Sequence, residues 1–147
     1  MTSTSGNKIS RVIIDSDAII GAVFEEDKLH KGISLVWKYL NAHNIGTLIL
    51  PITVIEAATA LARRKYINRP DLASKILKYY QKIVTVPSKE KDVLKLTASL
   101  YNPQTSRKNT PFDYYVLATA KKLGIKVVFS FDKFYKKHGL KLAEELL

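Results

Sequence analysis

The chain has 147 residues, carries 24 Lys and Arg against 13 Asp and Glu for a net charge of +11, and contains no cysteine. The lack of cysteine excludes thiolate metal sites, thiol catalysis and any disulfide framework. No run approaches the ~20 apolar residues of a membrane span, so the chain reads as a soluble, cytoplasmic protein. The basic excess favours a polyanionic partner, because each phosphate neutralised releases condensed counterions, while a lysine-rich solvated surface accounts for the same charge.

In chain order, residues 1–10 (MTSTSGNKIS) are polar and read as a disordered leader. Residues 11–147 read as a single domain, long enough to bury roughly 68–70% of its unfolded surface without a disulfide or structural metal. Arg11 to Ile14 (RVII) is a short β-branched run, the pattern of a buried strand. A short helix is expected from Asp17 to Phe24 and a second from Leu29 to Asn41, where Ile33, Val36, Trp37 and Leu40 share one stripe. Thr47 to Leu50 reads as a second strand, closed by Pro51 and followed by a helix from about Thr53 to Tyr66. Pro70 suits the first turn of a helix running to Lys82, Ile83 to Val86 (IVTV) reads as a third strand, and Ser88 is placed to cap a helix to about Leu100. Residues 102–109 are polar and basic, an exposed loop. Pro111 to Leu123 is helical and stops at Gly124, Lys126 to Phe129 (KVVF) reads as a fourth strand, and Asp132 opens a final short helix. Strands separated by helical segments imply a parallel sheet in an α/β sandwich, whose ligands bind at the carboxyl ends of the strands.

Four acids follow from that placement. Asp15 ends the run Val12-Ile13-Ile14, and Asp132 lies just beyond Val127-Val128-Phe129, so both are expected at one edge of the sheet. Glu56 and Asp113 lie in the first turns of helices, among apolar neighbours (VIEAA and PFDYY). Each has a purely structural reading. Thr53-Val54-Ile55-Glu56 matches a capping box, Thr110-Pro111-Phe112-Asp113 is a near relative, Asp132 suits an N-cap, and Asp15 faces a helix dipole. As a set they carry more. Two charges 4 Å apart repel by about 4 kcal/mol at an effective dielectric of 20, and four acids make six such pairs. Protons or a cation must neutralise the group if it converges, and hard oxygen ligands without Cys or a nearby His point to Mg²⁺ or Mn²⁺.

The accessory groups read less sharply. Ser16 and Ser130 flank Asp15 and Asp132, as loop caps or as hydrogen-bond donors to a carboxylate or a bound water. Asp17 either shares a face with Asp15 or serves as the N-cap of the helix it begins. Tyr114 and Tyr115 flank Asp113, one as core and one as a surface on which a base stacks. The three histidines, His30, His43 and His138, read as surface or helix-end residues. Basic residues cluster around Arg63, Arg64, Lys65 and Arg69, in Arg107-Lys108, and along Lys121, Lys122, Lys126, Lys133, Lys136 and Lys137. Arg63, Arg64 and Arg107 in particular are candidates to contact a nucleic-acid backbone.

The segments VIIDSDAII, ITVIEAATAL and FDYYVLATAKKLGIKVVFSFDKFY resemble, in order and spacing, the acidic motifs of PIN-domain nucleases, most nearly VapC-type toxin ribonucleases. The resemblance runs from about Arg11 to His138. It implies a three-layer sandwich with a central parallel sheet of about four strands flanked by helices. It also implies Mg²⁺ or Mn²⁺ bound by Asp15, Glu56, Asp113 and Asp132, with Ser16 and Ser130 in the places of the family's Ser or Thr. The activity so implied is endoribonuclease cleavage of single-stranded RNA (mRNA, tRNA or rRNA), by a homodimer paired with an antitoxin protein. Asp17 departs from the Asn or Ser usual at its place, which leaves open whether it is a ligand. Two rivals remain. Asp15-Ser16-Asp17 after a strand resembles the nucleophile loop of haloacid-dehalogenase-like phosphatases, although Ile19 and the lack of a later Gly-Asp-x-x-x-Asp depart from it. The other rival is a non-catalytic, basic RNA-binding PIN module.

Overall fold

The computed structural model describes residues 8–63, 65–104 and 108–147. The chain runs β1 (Arg11–Ile14), α1 (Ser16–Val23), α2 (His30–Ala42), β2 (Gly46–Leu48), α3 (Pro51–Ala62), α4 (Pro70–Tyr80), α5 (Glu90–Leu100), α6 (Pro111–Leu123), β3 (Val127–Phe129), α7 (Lys133–Lys137) and β4 (Lys141–Leu142), then a 3₁₀ turn over Ala143–Leu146. The four strands form one parallel sheet in the order β2-β1-β3-β4.

Pleating sends alternate side chains to opposite faces, and the core divides accordingly. Val12, Ile14, Val127 and Phe129 face a layer built from α1 to α4, whose Ile19, Ile33, Leu40, Ala57, Leu61 and Ile76 pack against them. Ile13, Leu48 and Val128 face the other way, onto Tyr114, Leu117 and Ala120 of α6 and Phe134 and Tyr135 of α7. The result is the three-layer sandwich anticipated above. Ile9 packs against the first cluster; residues 1–7 of the expected leader lie outside the described residues.

The strand inventory differs from the expectation at two places. Ile83 to Val86 is not a strand: it follows α4 as a turn and irregular chain, tied to the sheet's end by a single bond from the Thr85 N–H to the Ile49 carbonyl, 2.8 Å. Its β-branched composition favours extended backbone, yet it forms no ladder with β2, the edge strand it lies beside. The fourth strand is instead Lys141–Leu142, two residues paired with Val127 and Val128. So short a strand gives no period-2 pattern to read.

Helix starts also shift. The α3 helix begins at Pro51, with Leu50 as its cap residue, rather than at Thr53. Asp15, not Asp17, caps α1, and Lys89 rather than Ser88 precedes α5. The α6 boundaries agree with the sequence reading, because Pro111 fixes the first turn and Gly124 takes the left-handed conformation (φ 66°) that ends a helix. Among the described residues no helix is long and apolar enough to cross a membrane.

Candidate active site

The chain leaves β1, visits β2 on one side, and later returns through β3 on the other. The carboxyl ends of β1 and β3 therefore flank the point where strand order reverses, the usual crevice of an open parallel sheet. Ile14 is in register with Phe129, and the Asp15 N–H extends the ladder to the Phe129 carbonyl at 3.1 Å. This register sets Asp15 and the segment Ser130-Phe131-Asp132 side by side. Glu56, on α3, and Asp113, on α6, approach the crevice from the two helical layers.

Asp15 is 4% exposed. Its Oδ1 accepts the Ser16 N–H (2.8 Å) and its Oδ2 accepts the Tyr135 hydroxyl (2.7 Å). Burial raises its pKa well above the usual carboxylate range, the charge of Asp17 raises it further, and the Tyr135 hydrogen bond only partly opposes this. Asp113 is buried too, and its Oδ2 accepts the Thr110 N–H (2.9 Å), the acid's half of a capping box. Burial again raises its pKa, opposed by the Thr110 bond and reinforced by Asp132. Glu56 sits in the second turn of α3, where it is hydrogen-bonded by Ser16; burial raises it first, then the charges of Asp113 and Asp17. Asp132 caps α7 through the Phe134 N–H (2.9 Å), and its other oxygen accepts Asn109 Nδ2 (3.0 Å).

Asp113 is thus the electrostatic hub, since its charge acts on Asp15 and Glu56 and that of Asp132 acts on it. Among the described residues, the charges that shift Asp15, Glu56 and Asp113 most are those of other carboxylates, so protons or a cation favour the group by relieving that repulsion. Among the described residues no three acids are already gathered as an ion cage. Even so, a set of hard, mutually repelling oxygen donors with raised pKa values suits a hard divalent ion.

Asp17 does something different. Its Oδ2 accepts the Ser130 hydroxyl (3.0 Å) and the Phe131 N–H (2.8 Å), and its Oδ1 accepts the Ala18 N–H (3.0 Å). It bolts the segment after β3 to the start of α1, while burial lifts its pKa to about 6. Ser130 relays the contact, because its Oγ also accepts the Asp132 N–H at 3.1 Å.

A PIN domain family model matches residues 12–140. The chain belongs to the PIN domain family. Among solved structures it is similar to that of Mycobacterium tuberculosis VapC20, a sarcin-ricin loop cleaving toxin, with a TM-score of 0.67 at 15% identity, over 88% of this chain and 95% of that one. At that identity the likeness shows a shared fold. No curated protein matches the chain in sequence. PIN membership sets aside the haloacid-dehalogenase-like reading of Asp15 and Asp17, and three hydrogen bonds to Asp17 leave it poorly suited to proton shuttling.

Two residues of this PIN domain's crevice were missed in the sequence. Tyr135 lies in a basic run (KFYKK), and nothing in its neighbours signals a buried hydroxyl aimed at Asp15. Asn109 reaches Asp132 at 3.0 Å and Asp113 at 3.5 Å; its place just before a helix cap was a signal for a polar role, though not for this one. Tyr114 is core, packed edge-on against Phe134, and Tyr115 is half-buried at the second cluster. Of the three arginines, Arg63 is exposed at the end of α3, seven residues and so roughly 10 Å beyond Glu56. Arg64 and Arg107 lie outside the described residues.

Proposed function

We propose that this PIN domain is a metal-dependent endoribonuclease acting on single-stranded RNA, with Asp15, Glu56, Asp113 and Asp132 holding Mg²⁺ or Mn²⁺. The observation that supports it most is the electrostatic coupling, through Asp113, of acids carried by four separate elements. When bound, the ion lowers the pKa of a water and offsets phosphate charge. Tyr135 holds Asp15 in one orientation, and Asn109 fixes Asp132 relative to Asp113. Glu56, held by Ser16 and raised above its ordinary pKa, is the best-placed proton acceptor for a water attacking phosphorus in line. The P–O bond opposite the attacking water breaks, and the leaving oxygen takes a proton from solvent.

The VapC20 likeness further supports reading the protein as the toxin of a toxin–antitoxin pair, a homodimer held in check by an antitoxin protein. Purified protein should cleave labelled single-stranded RNA with Mg²⁺ or Mn²⁺ and stop in EDTA, and Asp15→Asn should abolish cleavage. Cleavage that persists under chelation sinks the metal mechanism. RNA binding without any turnover favours the non-catalytic module. Induced expression should arrest growth of a host cell, and Asp15→Asn should relieve the arrest.

A further inference from the structure

Beside Asp132, a groove of about 690 Å³ opens between α6 and α7, lined among others by Lys108, Asn109, Phe131, Asp132, Lys133 and Lys137. Its volume is that of a ligand site, roughly 300–1,000 Å³. Its head is the carboxylate crevice itself, through Asn109 and Asp132. Its rim is basic in a selective way. Lys133 and Lys137 stand four residues apart, on one side of α7. Lys136 turns elsewhere, to Glu145 at 2.8 Å. Among the described residues neither Lys133 nor Lys137 makes a salt bridge, and both are exposed. The floor includes the Phe131 ring, fixed by the Asp17 bond to its backbone and held against Gly32 of α2, where an added Cβ would meet the ring at 3.4 Å.

We infer that this groove is the track by which single-stranded RNA leaves the scissile position: Lys133 and Lys137 take successive backbone phosphates and Phe131 stacks on a base. The inference rests on the nuclease reading for its substrate class and names residues that reading does not use. A backbone phosphate next to the scissile one must pass over an edge of the acidic crevice, and this edge carries Lys133 and Lys137, neither in a salt bridge among the described residues. An aromatic ring with a fixed backbone beside two cations is the pairing that single-strand sites use, independent of base identity. An acidic protein segment would match the lysines equally well and would have no use for the ring.

The 147-residue chain in EDTA, with a labelled single-stranded RNA of about twelve nucleotides as probe, separates these outcomes. Lys133→Gln with Lys137→Gln should flatten the dependence of log affinity on log salt by about 1.4, two contacts at roughly 0.7 each on a single strand. The control, Lys75→Gln with Lys78→Gln, removes the same charge from exposed positions on α4, across the sheet, and should change the slope far less. Phe131→Leu should weaken binding roughly 5- to 150-fold with the salt slope kept, as loss of one stacked base implies. Equal effects of the two lysine pairs overturn the track, as does a Phe131→Leu variant that binds like wild type. RNA cleavage with an unselective lysine response defeats the groove and leaves the nuclease intact. Selective loss of RNA binding in a protein that never cleaves defeats the nuclease and leaves the groove.

Discussion

Thr53-Val54-Ile55-Glu56 and Thr110-Pro111-Phe112-Asp113 share one capping pattern and meet opposite local fates. At α6, Pro111 follows the threonine, so Thr110 becomes the cap residue and Asp113 reaches back to its N–H at 2.9 Å. At α3 the proline comes two residues earlier, at Pro51, so the helix has already begun when the chain reaches Thr53. The Thr53 hydroxyl is then buried without a hydrogen-bond partner among the described residues, and Glu56 falls in the second turn, bonded to Ser16. Proline at the first helical position, and not the threonine, sets the register. The contrast also shows that capping and coupling to the crevice are not exclusive: Asp113 closes its own helix and still couples to three other acids.

The sharpest use of that comparison is activity against stability. Glu56→Gln and Asp113→Asn should each lower metal-dependent cleavage by at least roughly 10²-fold, the scale of losing one group that acts on the transition state. An effect confined to one of them would mean that only one belongs to the site. The next largest effect is expected at Tyr135. Tyr135→Phe removes the hydroxyl that orients Asp15, and should weaken Mn²⁺ binding roughly 10–100-fold, read by calorimetric titration. If the variant melts lower but binds Mn²⁺ as wild type does, Tyr135 is a core residue only.

A third measurement compares the crevice with the rest of the molecule in EDTA. Asp17 has a folded pKa of about 6 against an ordinary 3.8, so its protonated form favours the native state. Its contribution is fully present below about pH 4 and is lost as pH rises through 6, a change on the order of 3 kcal/mol. Burial raises Asp15, Glu56 and Asp113 in the same direction. Metal-free protein should therefore melt at a lower temperature at pH 7 than at pH 5, and Mg²⁺ or Mn²⁺ should restore more at pH 7. A flat or rising profile would contradict the crowding.

The smallest effect separates the two threonine motifs themselves. Asp113→Ala should cost about 1 kcal/mol more than Asp113→Asn, because the amide oxygen of Asn can still accept the Thr110 N–H. Glu56→Ala and Glu56→Gln should differ much less in melting temperature, since no cap is lost at α3.

Local chemistry carried much of this into the sequence. The β-branched runs at Arg11–Ile14 and Val127–Phe129, the proline and glycine that bound α6, and acids set just past buried strands follow from backbone sterics and side-chain hydrophobicity, which act over a few residues. They fixed the sandwich and the edge on which Asp15 and Asp132 emerge. What needed tertiary structure were choices among competing local options. Ile83 to Val86 is as extended by composition as any strand here but forms no ladder on the edge strand β2, whereas Lys141-Leu142, with no strand pattern of its own, pairs with Val127-Val128. The same holds for the site. Asp17 and Ser130 are 113 residues apart, Tyr135 and Asp15 are 120, and their bonds exist because parallel pairing sets β1 against β3. A hydroxyl in a lysine-rich pentapeptide carries no mark of the carboxylate it will meet. That partner is decided only when the sheet closes and burial forces each polar group to find one.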